Sequence, residues 1–233
     1  MLSRGSFEPL GSAIAYERDF GQATARCIAF MRNPFIRGGA VPTDRLAFIV
    51  ATKGGSAWLL AGALFWAGAG ISGLLASSGV WTKVYLYGGF SVPIVGWLFA
   101  KAQSVTVPPK SALVLLVAIA ATITPFCFPL LILIEQRDPA LLPVALTVID
   151  GAHLLVLMWL QLDYAYFLAA VAKGIIGATF GFMFLEQSAV GVGFASAAVS
   201  LLAGWSVYRD ARNAVQLYAP NYPTASEISS GAA

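Results

Sequence analysis

Apolar positions gather into six long runs, at about 55–76, 84–100, 112–134, 139–160, 164–185 and 189–207, separated by short polar breaks. Each run meets or approaches the ~20 mostly apolar residues that a helix needs to cross hydrocarbon. The breaks are Ser77-Ser78-Gly79, the stretch from Lys101 to Lys110 with Pro108 and Pro109, Glu135 to Asp138, Gln161 to Asp163, and Glu186 to Ser188. This pattern predicts an all-α protein, a polytopic transmembrane helix bundle of six spans filling residues 44–212. The second run is the shortest and holds Gly88, Gly89 and Pro93, so a kink is expected there. In the third, Pro125 and Pro129 bracket Cys127. Two prolines four apart free backbone carbonyls, which suits either a packing kink or a cavity wall.

Outside the spans the pattern changes. Residues 1–43 are mixed, with Tyr16, Phe20, Ala23, Cys27 and Met31 at helical spacing and Arg18, Arg26 and Arg32 mostly on other faces. That is an amphipathic helix, placed either on the cytoplasmic membrane surface or against the bundle. No apolar run with a small-residue cleavage site occupies the first thirty residues, so a cleaved signal peptide is not expected. Residues 213–233 end in a Ser-, Pro-, Ala- and Gly-rich stretch with little to bury, and a flexible tail is expected.

Composition narrows the class. Of 233 residues 58% are hydrophobic and 11% charged, with a mean hydropathy of +0.77. Soluble domains carry about 25% charged residues, so the excess apolar surface must face lipid. A typical soluble enzyme, a disordered chain and a nucleic-acid-binding domain are excluded, and no nucleic-acid partner is expected. Two cysteines set no disulfide framework, and Cys27 and Cys127 are expected as free thiols. The Lys and Arg residues have a side preference. With a cytoplasmic N-terminus, seven precede the first span (Arg4, Arg18, Arg26, Arg32, Arg37, Arg45, Lys53) and four more (Lys101, Lys110, Arg209, Arg212) share that side. Only Lys83 and Arg137 lie opposite. The positive-inside rule then places both termini in the cytoplasm. Trp58, Trp81, Trp159 and Trp205 fall near span ends, where indoles favour the headgroup region.

Three ionisable residues lie inside spans, where each costs about 2.5–3.5 kcal/mol on insertion scales. Asp150 and His153 share one face of the fourth span, and Lys173 stands in the fifth. Asp150 precedes the turn centred near Leu162 by twelve residues and Lys173 follows it by eleven. At 1.5 Å per residue both are about 17 Å from that turn, at matching depth near the bilayer centre. Two readings stand: a midplane site for a proton, ion or small polar solute, and a neutralised pair locking two helices. No cofactor is expected and no metal site, because Asp150 and His153 supply two ligands where zinc or iron takes three or four. No Ser or Cys has an identifiable catalytic partner. Small residues form helix-packing stripes at Gly177 and Gly181, Ala69 and Gly73, and Gly193 and Ala197, with Ser196, Ser200 and Gly204 in similar register.

The segment Gly151-Ala152-His153-Leu154-Leu155, with Trp159-Leu160 and Tyr164 to Phe167 after it, resembles a bacterial family of small uncharacterised multi-helix membrane proteins, domain of unknown function 7010. Leu98-Phe99-Ala100-Lys101 is similar to that family's end of an early span. The resemblance covers roughly residues 50–208 and departs from the family at Val156, where Pro is expected, and in the long N-terminal extension. It implies a multi-helix membrane protein, gives weight to His153 as a site, and implies no particular activity; the expected location is the cell (inner) membrane, with several passes. Three functions remain open. The first is a transporter or channel-like protein for a small solute or ion. The second is a non-catalytic accessory subunit of a larger membrane complex. The third is a membrane-embedded enzyme using His153. Expected partners are the bilayer and, through the glycine faces, a second copy or a larger complex.

Overall fold

The structure is a computed structural model that describes residues 43–105 and 112–218. The amphipathic segment around Tyr16–Met31, Cys27 and the tail beyond Tyr218 lie outside the described residues. The elements are α1 (Thr43–Ala51), α2 (Ser56–Leu75), α3 (Ser78–Gly88), α4 (Ser91–Ala102), α5 (Ala112–Ala121), α6 (Ile123–Phe126), α7 (Phe128–Arg137), α8 (Leu141–Gln161), α9 (Tyr164–Met183) and α10 (Ser188–Tyr218). No strand occurs among the described residues. Five helical segments are long and apolar enough to cross a membrane: Lys53–Leu75, Leu113–Arg137, Leu141–Gln161, Tyr164–Met183 and Leu185–Arg212. The protein is an integral membrane helix bundle. Its outward faces carry Leu64, Leu75, Phe126, Phe182 and Leu202 in the open, as a lipid-facing surface requires.

The second predicted span is divided. Residues 84–100 fall on α3 and α4, helices of 11 and 12 residues that meet at Gly89-Phe90. Both joining residues keep right-handed helical angles. The break therefore bends a near-continuous path, and Pro93, which lacks an amide proton, sits in the first turn after it. The third span is likewise segmented, at Thr122 and at Cys127, on either side of Pro125. Cys127 is a free thiol.

Helix α2 packs closely on α10, and α8 on α9, with α8 also touching α3, α5, α6, α7 and α10. The α2–α10 seam is made by small residues. A Cβ at Gly193 would stand 2.4 Å from the Gly70 Cα, and one at Gly73 would stand 2.7 Å from the Ala189 carbonyl oxygen. Ala69 in the same seam is fully buried. Ser196 shares a 2.8 Å hydrogen bond with Thr147, tying α10 to α8, and Ala197 packs on the same core. On α9, Gly177 and Gly181 stand against α8. Their Cβ positions are 2.6 Å from Val148 Cγ2 and 3.2 Å from Val144 Cγ1. These small-residue faces are filled by helices of the same chain.

Polar groups close one end of the bundle. Lys53, Gly54 and Gly55 all take left-handed angles as the chain turns from α1 into α2. Glycine is needed at 54 and 55 twice over, because a Cβ there would also meet Val207 at 2.6 Å and the Tyr166 hydroxyl at 2.7 Å. Tyr166 donates to the Gly54 carbonyl (2.7 Å), Lys53 to the Gln103 carbonyl, and Arg45 Nε to the Leu160 carbonyl (3.2 Å). Asp163 caps α9 by accepting from the Ala165 amide at 2.8 Å. Burial, with the nearby charge of Asp210, pushes the Asp163 carboxyl up to about 6, against the pull of the Ala165 amide.

This shift has a definite sign. The folded state binds the Asp163 proton more tightly than the unfolded chain. The penalty for ionising it is absent below the ordinary carboxylate value of 3.8, grows between there and about 6, and is complete above that. Stability is expected to fall as pH rises through this window. In metal-free detergent, Asp163→Asn, which keeps the cap, should gain about 1–2 kcal/mol over the parent at pH 7.5 and nothing at pH 4, as read by thermal unfolding. An equal gain at both pH values would contradict the assignment.

Candidate functional site

Asp150 is the tenth of 21 residues in α8, and Lys173 the tenth of 20 in α9. The antiparallel hairpin brings these midpoints together: Lys173 Nζ lies 2.5 Å from Asp150 Oδ2. Close helix approach makes this contact possible. Gly151, next to Asp150, faces α9 so closely that a Cβ would stand 3.1 Å from the Ala170 carbonyl oxygen and 3.3 Å from Lys173 Cβ. The buried face of α9 is Tyr166, Ala169, Ala170, Lys173 and Gly177, and around Lys173 its neighbours Ala169, Ala170 and Gly177 are small.

A third helix completes the site. Trp66, at the middle of α2, donates its indole N–H to Asp150 Oδ2 at 3.0 Å. Its ring also lies under the ammonium, with Lys173 Nζ 4.9 Å from the ring centroid. That arrangement gives Lys173 a cation–π contact in addition to its ion pair. Tyr85 from α3 packs edge-on against Trp66, centroids 6.0 Å apart, and donates to the Ala189 carbonyl at 2.5 Å, so the indole is held from behind. Both Lys173 and Trp66 are about 1% exposed.

Asp150 is different. Its side chain is 27% exposed, and both of its donors reach the same oxygen, Oδ2. Among the described residues no group donates to Oδ1. His153, one turn along α8, is half-buried and near enough to feel both charges, yet carries no hydrogen bond among the described residues. The result is a fixed cation, a carboxylate with one doubly bonded oxygen and one without a donor among the described residues, and a half-buried imidazole one turn along α8. Such a set can take up a proton or hold a small polar solute. Among the described residues no group of three or more His, Cys, Asp or Glu is placed to hold a metal ion.

Trp66 is the site residue that sequence reasoning passed over. The four tryptophans expected at span ends include Trp58, Trp159 and Trp205, which are exposed, whereas Trp66 is buried at mid-span. The available signal was an indole N–H in the middle of an apolar run, since a buried Trp usually finds an acceptor.

A family model described as "Family of unknown function (DUF7010)" matches residues 43–210. No curated protein and no solved structure matches the chain. The chain belongs to that family of unknown function, and the matched region takes in every helix of the site.

Proposed function

We propose that this member of the family moves a small ion or solute across the membrane through the polar cluster at the middle of α8 and α9. The observation that carries the reading is the asymmetry of Asp150. A pair that served only to lock two helices would satisfy both carboxylate oxygens and hide them. Here Oδ2 accepts from both Lys173 and Trp66, Oδ1 has no donor among the described residues, and the side chain keeps 27% exposure. Ionisable groups at mid-membrane that remain open on one side mark ion and proton pathways.

The accessory-subunit reading drew on the glycine faces and the N-terminal segment as docking surfaces. Gly177, Gly181, Gly73 and Gly193 are engaged within the chain, which removes the glycine faces as support for it, while the N-terminal segment lies outside the described residues. An enzyme using His153 would need a nucleophile or metal beside the imidazole; among the described residues the imidazole carries no hydrogen bond, and no group of three or more His, Cys, Asp or Glu could hold a metal ion. The positive-inside count supports cytoplasmic termini, and the resemblance supports a bacterial inner membrane.

Solid-supported-membrane recording on proteoliposomes tests the reading across several candidate ions at once. Jumps in pH, NaCl or KCl should evoke currents above those of protein-free vesicles for at least one ion. Asp150→Asn should lower that current at least tenfold, while the protein elutes from size exclusion as the parent does. Silence in all three jumps, or full current in Asp150→Asn, would overturn the proposal.

A further inference from the structure

The make-up of the mid-span site decides which ion it suits. Trp66, Asp150 and Lys173 come from three helices that run unbroken past them: α2 (Ser56–Leu75), α8 (Leu141–Gln161) and α9 (Tyr164–Met183). An unbroken helix keeps its carbonyl oxygens in its own hydrogen bonds. Sodium and potassium sites inside membranes are built largely from carbonyls released by unwound helix or a filter loop, which replace the ion's water shell. Through this site none of the three helices releases one. Side-chain oxygens are equally scarce. The Thr147 hydroxyl, one turn before Asp150, is buried and shared with Ser196 at 2.8 Å. Asp150 Oδ2 already accepts from both Lys173 and Trp66. That leaves Asp150 Oδ1, a single oxygen where a hard cation takes about six.

The charges point the same way. Among the described residues, those acting on Asp150 are Lys173 from α9 and His153 on its own helix. Helix α2 contributes the Trp66 indole, and α3 contributes Tyr85, whose hydroxyl is turned to the Ala189 carbonyl. The buried ammonium already balances the carboxylate, so a metal cation would sit beside a fixed positive charge. An anion would meet the carboxylate, because Lys173 is enclosed by Asp150 and the Trp66 ring. A proton needs no shell and only one lone pair. Asp150 Oδ1 has no donor among the described residues, and the half-buried His153 imidazole has no hydrogen bond among them. Three apart on α8, the two residues are neighbours on one helix face. Resting on the transport reading above, we infer that the ion moved is the proton, carried by Asp150 and His153, with Lys173 as a fixed charge that keeps metal cations out. Uptake breaks an O–H bond of hydronium on one side and forms an O–H bond on Asp150 or an N–H bond on His153. Release returns the proton to water on the other side, and no other reactant is consumed.

The test uses proteoliposomes of the full chain loaded with the pH dye pyranine. Valinomycin and an outward potassium gradient set an inside-negative potential that draws protons in. Acidification should run at least tenfold faster than in protein-free vesicles. On a solid-supported membrane the same vesicles should answer a pH jump and stay silent to NaCl and KCl jumps at constant pH. His153→Phe should slow acidification at least tenfold while eluting from size exclusion as the parent does. The comparison of ions uses the parent protein, so it stands whether or not a variant folds. Acidification no faster than in protein-free vesicles, together with a sodium or potassium current, would overturn the proton inference and leave the transport reading standing. No acidification and silence in all three jumps would overturn both. Full acidification in His153→Phe would remove the imidazole from the path and overturn the inference as stated.

Discussion

Lys173→Met is expected to cost about 3–5 kcal/mol of stability, the usual penalty for removing one partner of a buried ion pair. The substitution strands Asp150 with a single indole donor and no counter-charge. Protonation of the carboxylate offers a partial escape and sets the lower end of the range. Replacing both partners, as Asp150→Leu with Lys173→Met, should recover much of the loss, because two apolar side chains of similar bulk leave no charge in the interior. His153→Phe should cost less, since a neutral imidazole has no charge to strand. Unfolding in detergent of the four species in the Asp150–Lys173 cycle measures the coupling. Simple addition within about 0.5 kcal/mol would mean that the two residues do not interact.

Gly193→Ala is expected to lower stability by about 1–3 kcal/mol. The added methyl would meet backbone, at 2.4 Å from the Gly70 Cα and 2.6 Å from its nitrogen, and also the Tyr85 hydroxyl at 2.7 Å. Backbone does not rotate out of the way, so α10 must move from α2, and Tyr85 must shift from behind Trp66. Gly68→Ala is the control, since nothing lies within 4 Å of its Cβ position. It should leave stability unchanged or slightly raised, as Ala is the better helix former. Thermal unfolding of the two variants side by side decides the matter; equal effects would contradict the close seam.

Much of this architecture is legible in the sequence because lipid removes alternatives. A backbone with no water to bond must be helical, so hydropathy alone locates the spans. Counting residues from a tight turn then fixes depth, which is why Asp150 and Lys173 can be placed opposite each other from spacing. Contacts between helices distant in sequence are harder to read. Trp66 joins Asp150 across 84 positions, and no local period announces which apolar residue on α2 will face α8. The polar end of the bundle escapes for a similar reason. Gln161, Asp163 and Asp210 read as ordinary loop and helix-end polar residues, and only packing shows that the Gln161 amide is buried. The break between α3 and α4 is signalled by Gly88, Gly89 and Pro93, but their pattern does not say how far the two halves bend.

The most direct test of the mid-span site is current recorded from the Asp150→Leu, Lys173→Met double variant in proteoliposomes. Its restored stability separates folding from function. If the cluster is the translocation site, the variant should unfold near the parent's midpoint and yet give no current above protein-free vesicles. If it folds and still passes the parent's current, the pair is a structural lock and the transport site lies elsewhere.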